Sequence, residues 1–189
     1  MGPLLYAKSM IPYPKYDEFH NYDVALLKLQ KPLKFDAFVK PICLPIDEIP
    51  LAGKKLIAAG WGMTYAGSPL SHNLQYVQLV AMSDARCRKH LEASTMQGGR
   101  RRVFGPAICT LHRAKGTCEG DSGGPVSFLS ANGKALQVGV VGAGTNCTKG
   151  EVSFKVFARV SAYMSWIKEA LTDLKGWKKI SKGHHIYFS

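Results

Sequence analysis

One glycine-rich run, residues 120–125 (Gly-Asp-Ser-Gly-Gly-Pro), constrains the fold of this chain more than any other segment. Glycine loses backbone entropy when it is fixed in a helix or a strand, and proline lacks a backbone donor, so neither element suits the run. A tight turn does suit it, because glycine reaches the backbone angles of a turn without strain. Such a turn exposes the Ser122 hydroxyl and the neighbouring N–H groups, which indicates a functional site rather than a plain surface loop.

The composition is that of a folded globular protein: 46% of the 189 residues are hydrophobic and 20% are charged. No apolar run approaches the roughly 20 residues of a membrane-spanning helix, and residues 1–8 lack the pattern of a signal peptide. The net charge of +12 favours acidic partners, and basic residues cluster at 100–102 and between 175 and 182. No nucleic-acid-binding motif accompanies these clusters, so we expect a solvated basic surface and no nucleic-acid partner.

From residue 51 onward, short β-rich segments alternate with turn residues, which predicts an antiparallel barrel or sandwich. Asn132-Gly133 is typical of a hairpin turn. A helix is expected over 84–91, capped by Ser83, and another over 161–174, whose apolar stripe would pack on the barrel. Residues 23–29 indicate a buried strand, and 40–45 an extended connector. The strands predicted beyond residue 51 are 56–59, 74–82, 125–129, 136–141 and 152–160.

Several segments, taken in order, resemble the trypsin/chymotrypsin family of serine proteases, and the resemblance runs from about residue 5 to residue 174. They lie at residues 21–27, 41–45, 60–62, 120–125 and 156–160. The resemblance implies an all-β fold, a double antiparallel β-barrel of the chymotrypsin type with a C-terminal α-helix and an incomplete first barrel. Residues 1–50 would be a remnant of the first barrel plus the connector. Residues 51–174 would form the second barrel with its helix, followed by a loosely held basic tail, 175–189.

The resemblance also assigns roles to residues. Ser122 would be the nucleophile, and the N–H groups of Gly120 and Ser122 would form the oxyanion hole. Asp23 would orient the catalytic histidine, although from the residues alone it would be a turn residue or a cap. Asp121 would pair with a newly cleaved N-terminal amine. Protein or peptide substrates and protease inhibitors are the implied partners. No cofactor is implied, and the lack of a CxxC pair argues against a metal site.

The base that a serine nucleophile needs is missing from this sequence. The family takes it from an Ala-Ala-His-Cys segment upstream of the aspartate, and the chain contains no such segment. His20, the histidine nearest to Asp23 in sequence, lies three residues before it, roughly 10 Å away along an extended segment and on the opposite face. We therefore expect an N-terminally truncated protease sequence that hydrolyses peptides poorly or not at all. The alternative is an inactive homologue that acts as a binding or regulatory module. The six histidines are His20, His72, His90, His112, His184 and His185.

The five cysteines agree with this interpretation. By resemblance, Cys87–Cys109 and Cys118–Cys147 would be the two disulfides of the second barrel. Cys43 matches a position that bonds to the N-terminal pro-region in many family members, which would account for the odd count. A disulfide-bonded protease domain implies a secreted protein. Residues 146–148 (Asn-Cys-Thr) fit a glycosylation acceptor, but a disulfide-bonded cysteine in the middle disfavours the modification.

The residues that match the substrate pocket differ from those of trypsin-like members. Gly116 matches the pocket floor, where trypsin-like members carry an aspartate, so cleavage after Lys or Arg is not expected. Gly142 and Gly144 match the pocket wall and the substrate-pairing backbone, with Gly142 in place of a usual serine and Ala143 in place of a large aromatic. Lys155 matches a wall position that is commonly glycine, and a cation there would favour Asp or Glu. We prefer an apolar or small-residue specificity, with Lys155 solvated on a shifted loop.

Overall fold

The structure, a computed structural model, describes residues 5–17, 21–94, 105–145, 147–172 and 177–179. In chain order its elements are β1 (Ala7–Pro12), β2 (Ala25–Leu29), β3 (Lys55–Gly60), β4 (Gln75–Val80), α1 (Asp84–Ser94), β5 (Ala107–Arg113), β6 (Pro125–Leu129), β7 (Ala135–Gly144), β8 (Val152–Arg159), a 3₁₀ turn (Val160–Tyr163), α2 (Met164–Thr172) and β9 (Lys178–Lys179). The strands form two antiparallel sheets, in the orders β4-β3-β6-β7-β8-β5 and β2-β1-β9. This mostly β architecture with a C-terminal helix confirms the predicted fold class.

The six-stranded sheet curls until its two edge strands, β4 and β5, meet. Ala81 bridges to Thr110, and the Met82 N–H donates to the Cys109 carbonyl at 2.9 Å. The Val80 N–H donates to Nε2 of the His112 ring at 2.8 Å, so a side chain completes the seam. Closure pairs backbone groups that an open edge would leave exposed. The enclosed interior holds the largest fully buried apolar side chains, which include Leu56, Leu79, Ile108, Val126 and Phe157.

The strand predicted to be buried within residues 23–29 is largely exposed instead. This strand, β2, lies at the edge of the three-stranded sheet and pairs only with β1 among the described residues. Leu27 is 36% exposed, and the segment that follows leaves Phe38 95% exposed. A pattern of apolar residues indicates that a strand has a surface to bury, but burial also requires a partner on that side.

The C-terminal helix packs through the predicted stripe. Tyr163, Ile167 and Ala170 are buried. Leu171, expected in the same stripe, is exposed, and Leu174 lies outside the described residues. The ring of Tyr13, just after β1, meets the Tyr163 ring edge-on with centroids 5.0 Å apart. The helical segment therefore connects the two sheets.

Part of the expected loose tail is held in place. The Trp177 indole N–H donates to the Ala170 carbonyl at 3.1 Å, and Lys178–Lys179 pair with β1 as a short third strand. The rest of the tail lies outside the described residues. In the part of the chain that the structure describes, no helix is long and apolar enough to cross a membrane.

Candidate active site

The glycine-rich run forms a turn between β5 and β6 that exposes the Ser122 side chain. Gly120 and Gly123 adopt φ values of +91° and +80°, which favour glycine because they suit few other residues. The Gly123 N–H donates to the Val141 carbonyl at 2.8 Å, and the Val141 N–H donates to the Gly124 carbonyl at 2.9 Å. These reciprocal bonds fix the turn against β7, so Ser122 is presented by a rigid part of the curled sheet.

Asp121 anchors the same turn from its other side. Its Oδ1 accepts the Gly62 N–H at 2.9 Å, and its Oδ2 accepts the Cys118 N–H at 2.8 Å. A Cβ on Gly62 would lie 2.5 Å from Oδ1, and one on Gly60 would collide with the same oxygen. The two glycines of the Gly-Trp-Gly segment therefore form a cradle for a carboxylate, a purpose that the sequence alone did not show.

Two backbone N–H groups beside the Ser122 hydroxyl have no acceptor within the described chain. They belong to Gly120 and to Ser122 itself, and neither donates a hydrogen bond to a described residue. Unpaired donors on an exposed turn can bind an oxygen that carries developing negative charge.

A cavity of about 320 Å³ adjoins Ser122 and brings most of the predicted pocket residues together. Gly142, Gly144 and Lys155 line it. Gly116, which we expected at the pocket floor, lines a neighbouring cavity of about 380 Å³ together with Asp121. The stem of Lys155 lies against Gly116 and also lines the Ser122 cavity.

Lys155 is buried, with only 6% of its surface exposed, so the expectation that it is solvated is wrong. An added Cβ on Gly116 would lie 2.9 Å from Lys155 Cε, and one on Gly144 would lie 2.6 Å from Cδ. The stem thus fills the space that these two glycines leave open. The ammonium group donates to the Thr145 carbonyl. Burial lowers the pKa of Lys155 below its ordinary value, and the Asp121 carboxylate acts in the opposite direction.

Sequence reasoning missed two hydroxyls beside Lys155. Thr110 lies opposite Lys155 in the β5–β8 register, and Ser153 precedes it by two residues. The Oγ atoms of both are buried without a hydrogen-bond partner among the described residues. A signal was available, because Ser153 and Lys155 alternate with Phe154 and Val156 along one strand and so indicate a polar face.

Asp23 and Ser122 line different cavities. It borders a cavity of about 280 Å³ whose walls include Gly142, Ala143 and Tyr163. Gly142 and Ala143 also line the Ser122 cavity, so the two cavities share one stretch of backbone. Burial, helped by Tyr13, Tyr22 and the Asp23 charge, raises the pKa of Tyr163 to about 12.

No described histidine lines either of these cavities. His112 accepts the Val80 N–H at the seam of the curled sheet, and the His90 ring stacks on Phe154 at 5.3 Å. His72 lies on the exposed surface, and His20, His184 and His185 lie outside the described residues. Within the described part of the chain, no group of three or more His, Cys, Asp or Glu residues could hold a metal ion.

Both expected disulfides are present, and one of them supports the site. Cys87–Cys109 and Cys118–Cys147 have Cα separations of 5.4 and 5.5 Å. Cys118–Cys147 connects the Ser122 turn to the loop after β7. Cys43 is exposed and unbonded. Asn146, the glycosylation candidate, lies outside the described residues.

A curled antiparallel sheet with a serine on a glycine-rich turn at the mouth of a cavity is an arrangement of the trypsin class. Residues 2–167 match the profile of the family described as Trypsin. The chain is 34% identical over 168 residues to serine proteinase stubble of Drosophila melanogaster, with 86% of this chain covered. It is 34% identical to chymotrypsin-2 of Vespa crabro over 78% of this chain, and 35% identical to serine protease SP24D of Anopheles gambiae over 86%. The chain belongs to the trypsin family.

The relatives are longer than the matched region. The chain spans 20% of the length of serine proteinase stubble, 61% of chymotrypsin-2 and 54% of serine protease SP24D. The activity of a complete serine protease is therefore proposed for this chain rather than shown.

Proposed function

We propose that this chain carries the nucleophile, the oxyanion-binding groups and the substrate pocket of a serine endopeptidase. The observation that carries the proposal is the Ser122 turn, which presents an exposed hydroxyl beside two unpaired N–H groups at the mouth of a cavity. Membership of the trypsin family supports the same chemistry.

The reaction is acyl transfer to water. Ser122 Oγ bonds to the peptide carbonyl carbon while its proton passes to a base, and the carbonyl oxygen gains negative charge. The N–H groups of Gly120 and Ser122 donate to that oxygen, in a geometry fixed before the reaction starts. The C–N bond then breaks, the amine leaves with the proton from the base, and water hydrolyses the acyl-enzyme to restore the Ser122 hydroxyl.

Asp23 is proposed to orient the base across the Gly142–Ala143 segment that the two cavities share. The described residues place no histidine at this point, which favours slow hydrolysis by this chain. The same observation favours the second candidate function, a binding or regulatory module that holds protein ligands in the protease cleft without cleaving them.

The proposed specificity differs from that of trypsin. Gly116 offers no carboxylate, and the carboxylate of Asp121 is engaged by two backbone N–H groups. The buried Lys155 ammonium would repel a Lys or Arg side chain in the cavity. The proposed partners are protein or peptide substrates and protease inhibitors, and the two disulfides support an extracellular setting.

An active-site titration with added imidazole tests the proposal. A p-nitrophenyl ester should give no burst with the chain alone, because the described residues place no histidine beside Ser122 to accept its proton. Imidazole should restore ester hydrolysis by acting as that base, and Ser122→Ala should abolish the protein-dependent part of the rate. A stoichiometric burst without imidazole would contradict the missing base. An imidazole-dependent rate that Ser122→Ala leaves unchanged would contradict the nucleophile and leave the binding module.

A further inference from the structure

The segment that follows β2 is exposed along its length and is rich in apolar side chains. Every residue from 31 to 43 is exposed to solvent. Phe38 is 95% exposed and Phe35 is 57% exposed. Leu33, Val39 and Ile42 are exposed as well. An apolar surface concentrated in one segment, unlike single exposed residues scattered over a protein, indicates an interaction site.

A tight turn in this 31–43 segment holds Phe38 in its exposed position. The Asp36 carboxylate accepts the Phe38 N–H at 2.7 Å and the Val39 N–H at 2.8 Å, both through Oδ1. The Asp36 N–H donates to the Val39 carbonyl at 3.0 Å. These three hydrogen bonds fix the backbone around Phe38. The ring is therefore presented by an ordered turn, and a partner that binds it has little backbone to order.

The charges that accompany the apolar side chains are basic. Between residues 24 and 46 the chain has four lysines and one acidic residue, Asp36. The Asp36 carboxylate is engaged by the backbone of the turn, whereas Lys31, Lys34 and Lys40 are exposed on either side of it. The segment thus combines an apolar projection with positive charge, which complements an anionic surface.

The presence of lysines among apolar side chains selects the kind of partner. Lysine is depleted at protein–protein interfaces relative to the rest of the surface. At a membrane surface, by contrast, the lysine stem contacts apolar groups while the ammonium remains among the polar headgroups. The three cavities described above are lined by other residues, so the 31–43 segment projects into solvent rather than enclosing a small ligand.

We propose that the 31–43 segment binds membranes that contain anionic phospholipids. Phe38 inserts between the lipids, and Lys31, Lys34 and Lys40 contact the negatively charged headgroups. The inference concerns a surface outside the Ser122 cavity and does not depend on the proposed function.

Cosedimentation of the whole chain with sucrose-loaded vesicles tests the proposal. One set of vesicles contains phosphatidylcholine alone, and in the other one third of the lipid is phosphatidylserine. The chain should bind the second set at least about tenfold more tightly, because each lysine near an anionic surface adds to the attraction. Salt at about 1 M should remove most of this difference by screening the charges.

A pair of aromatic variants measures insertion of the ring. Phe38→Ala should weaken binding to the phosphatidylserine vesicles by about tenfold, because an inserted ring is removed from water. Tyr76→Ala truncates a ring on β4 that is 78% exposed, and it should leave the binding unchanged.

Two double lysine variants of equal net charge locate the electrostatic contribution. Lys34→Gln with Lys40→Gln should weaken binding by at least about tenfold. Lys115→Gln with Lys149→Gln removes the same charge at the cavity beside Gly116 and should weaken it by about twofold or less.

Several results would overturn the proposal. They are absence of binding, equal binding to the two sets of vesicles, binding that Phe38→Ala leaves unchanged, and equal losses in the two double lysine variants. The last would show attraction to the net charge of +12 alone. Sedimentation equilibrium without lipid tests a second copy of the chain as the partner, and a dimer that Phe38→Ala dissociates would assign the segment to that contact instead. Ser122→Ala should bind vesicles as the unmodified chain does, so failure of the nucleophile and failure of the membrane contact are distinguishable.

Discussion

The curled six-stranded sheet and the three-stranded sheet of this chain bury their apolar residues to very different extents. The curled sheet joins its own edges and encloses a continuous apolar cluster around Phe157. The described residues of the three-stranded sheet include Leu26, which packs with the C-terminal helical segment, whereas Leu27 and, in the segment after β2, Phe38 are exposed. The same chain thus combines a closed unit with a sheet that leaves much of its apolar surface uncovered.

The residues of the candidate site are also distributed between these two regions. Ser122, Asp121 and Lys155 belong to the curled sheet and the loops it fixes, whereas Asp23 is carried by the segment that leads into β2. The nucleophile, the unpaired N–H groups and the cavity therefore belong to the curled six-stranded sheet. The carboxylate of Asp23 belongs to the region of the three-stranded sheet. We expect mutations in the two regions to differ in their effects on stability.

The largest difference should come from paired phenylalanine variants. Phe157 is fully buried and Phe38 is 95% exposed. Phe157→Ala should lower the free energy of unfolding by about 3–5 kcal/mol, because it leaves a cavity in the core. Phe38→Ala should change it by about 0.5 kcal/mol or less, since an exposed side chain gains little from folding. Urea denaturation of the two variants measures both values, and equal losses would show that the apolar surface around Phe38 is covered in solution.

Much of the closed unit was predictable from the sequence, because its strands follow local rules. Pro125–Leu129 and the Asn132-Gly133 turn coincide with the prediction, and Val152–Arg159 differs from it by one residue. Strand β5 was missed because Thr110 and His112 face inward and break the expected polar alternation. Strand β1 was missed as well, and β9, two lysines long, has no strand pattern to detect.

The site was predictable only in part. Resemblance selected Ser122 and the pocket residues, and the structure brings three of these to the serine. Burial of Lys155 could not be predicted, since a lysine in a strand ordinarily faces solvent. The exposure of β2 was also missed, because burial depends on what packs against a strand and not on the strand itself.

A smaller effect should follow from removing the disulfide that supports the turn. The double variant Cys118→Ser and Cys147→Ser opens a link across 29 residues of the closed unit. We expect a loss of about 2–4 kcal/mol of unfolding free energy, since the unfolded chain regains conformational entropy. The imidazole-dependent rate should fall as well, because the Ser122 turn loses its tie to the loop after β7.

Cys43→Ser is the matched control for this variant, since Cys43 is exposed and unbonded. It should leave both the urea midpoint and the rate within error of the unmodified chain. A Cys43→Ser variant as unstable as the double variant would contradict the assignment of the structural disulfide to the closed unit.

The smallest effect concerns Tyr163, which connects the two regions through its contact with Tyr13. Burial, with the nearby Asp23 charge, raises the pKa of Tyr163 from 10.0 to about 12. Between these values the folded state holds a proton that the unfolded state has released, so stability is complete below pH 10 and falls as the pH rises toward 12. Titration of this one group lowers the free energy of unfolding by at most about 1.4 kcal/mol per pH unit. Tyr163→Phe removes the titrating hydroxyl and should flatten this part of the alkaline decline, as urea midpoints at pH 9, 10 and 11 would measure. An alkaline decline of the same steepness in Tyr163→Phe would show that folding does not raise the pKa of Tyr163.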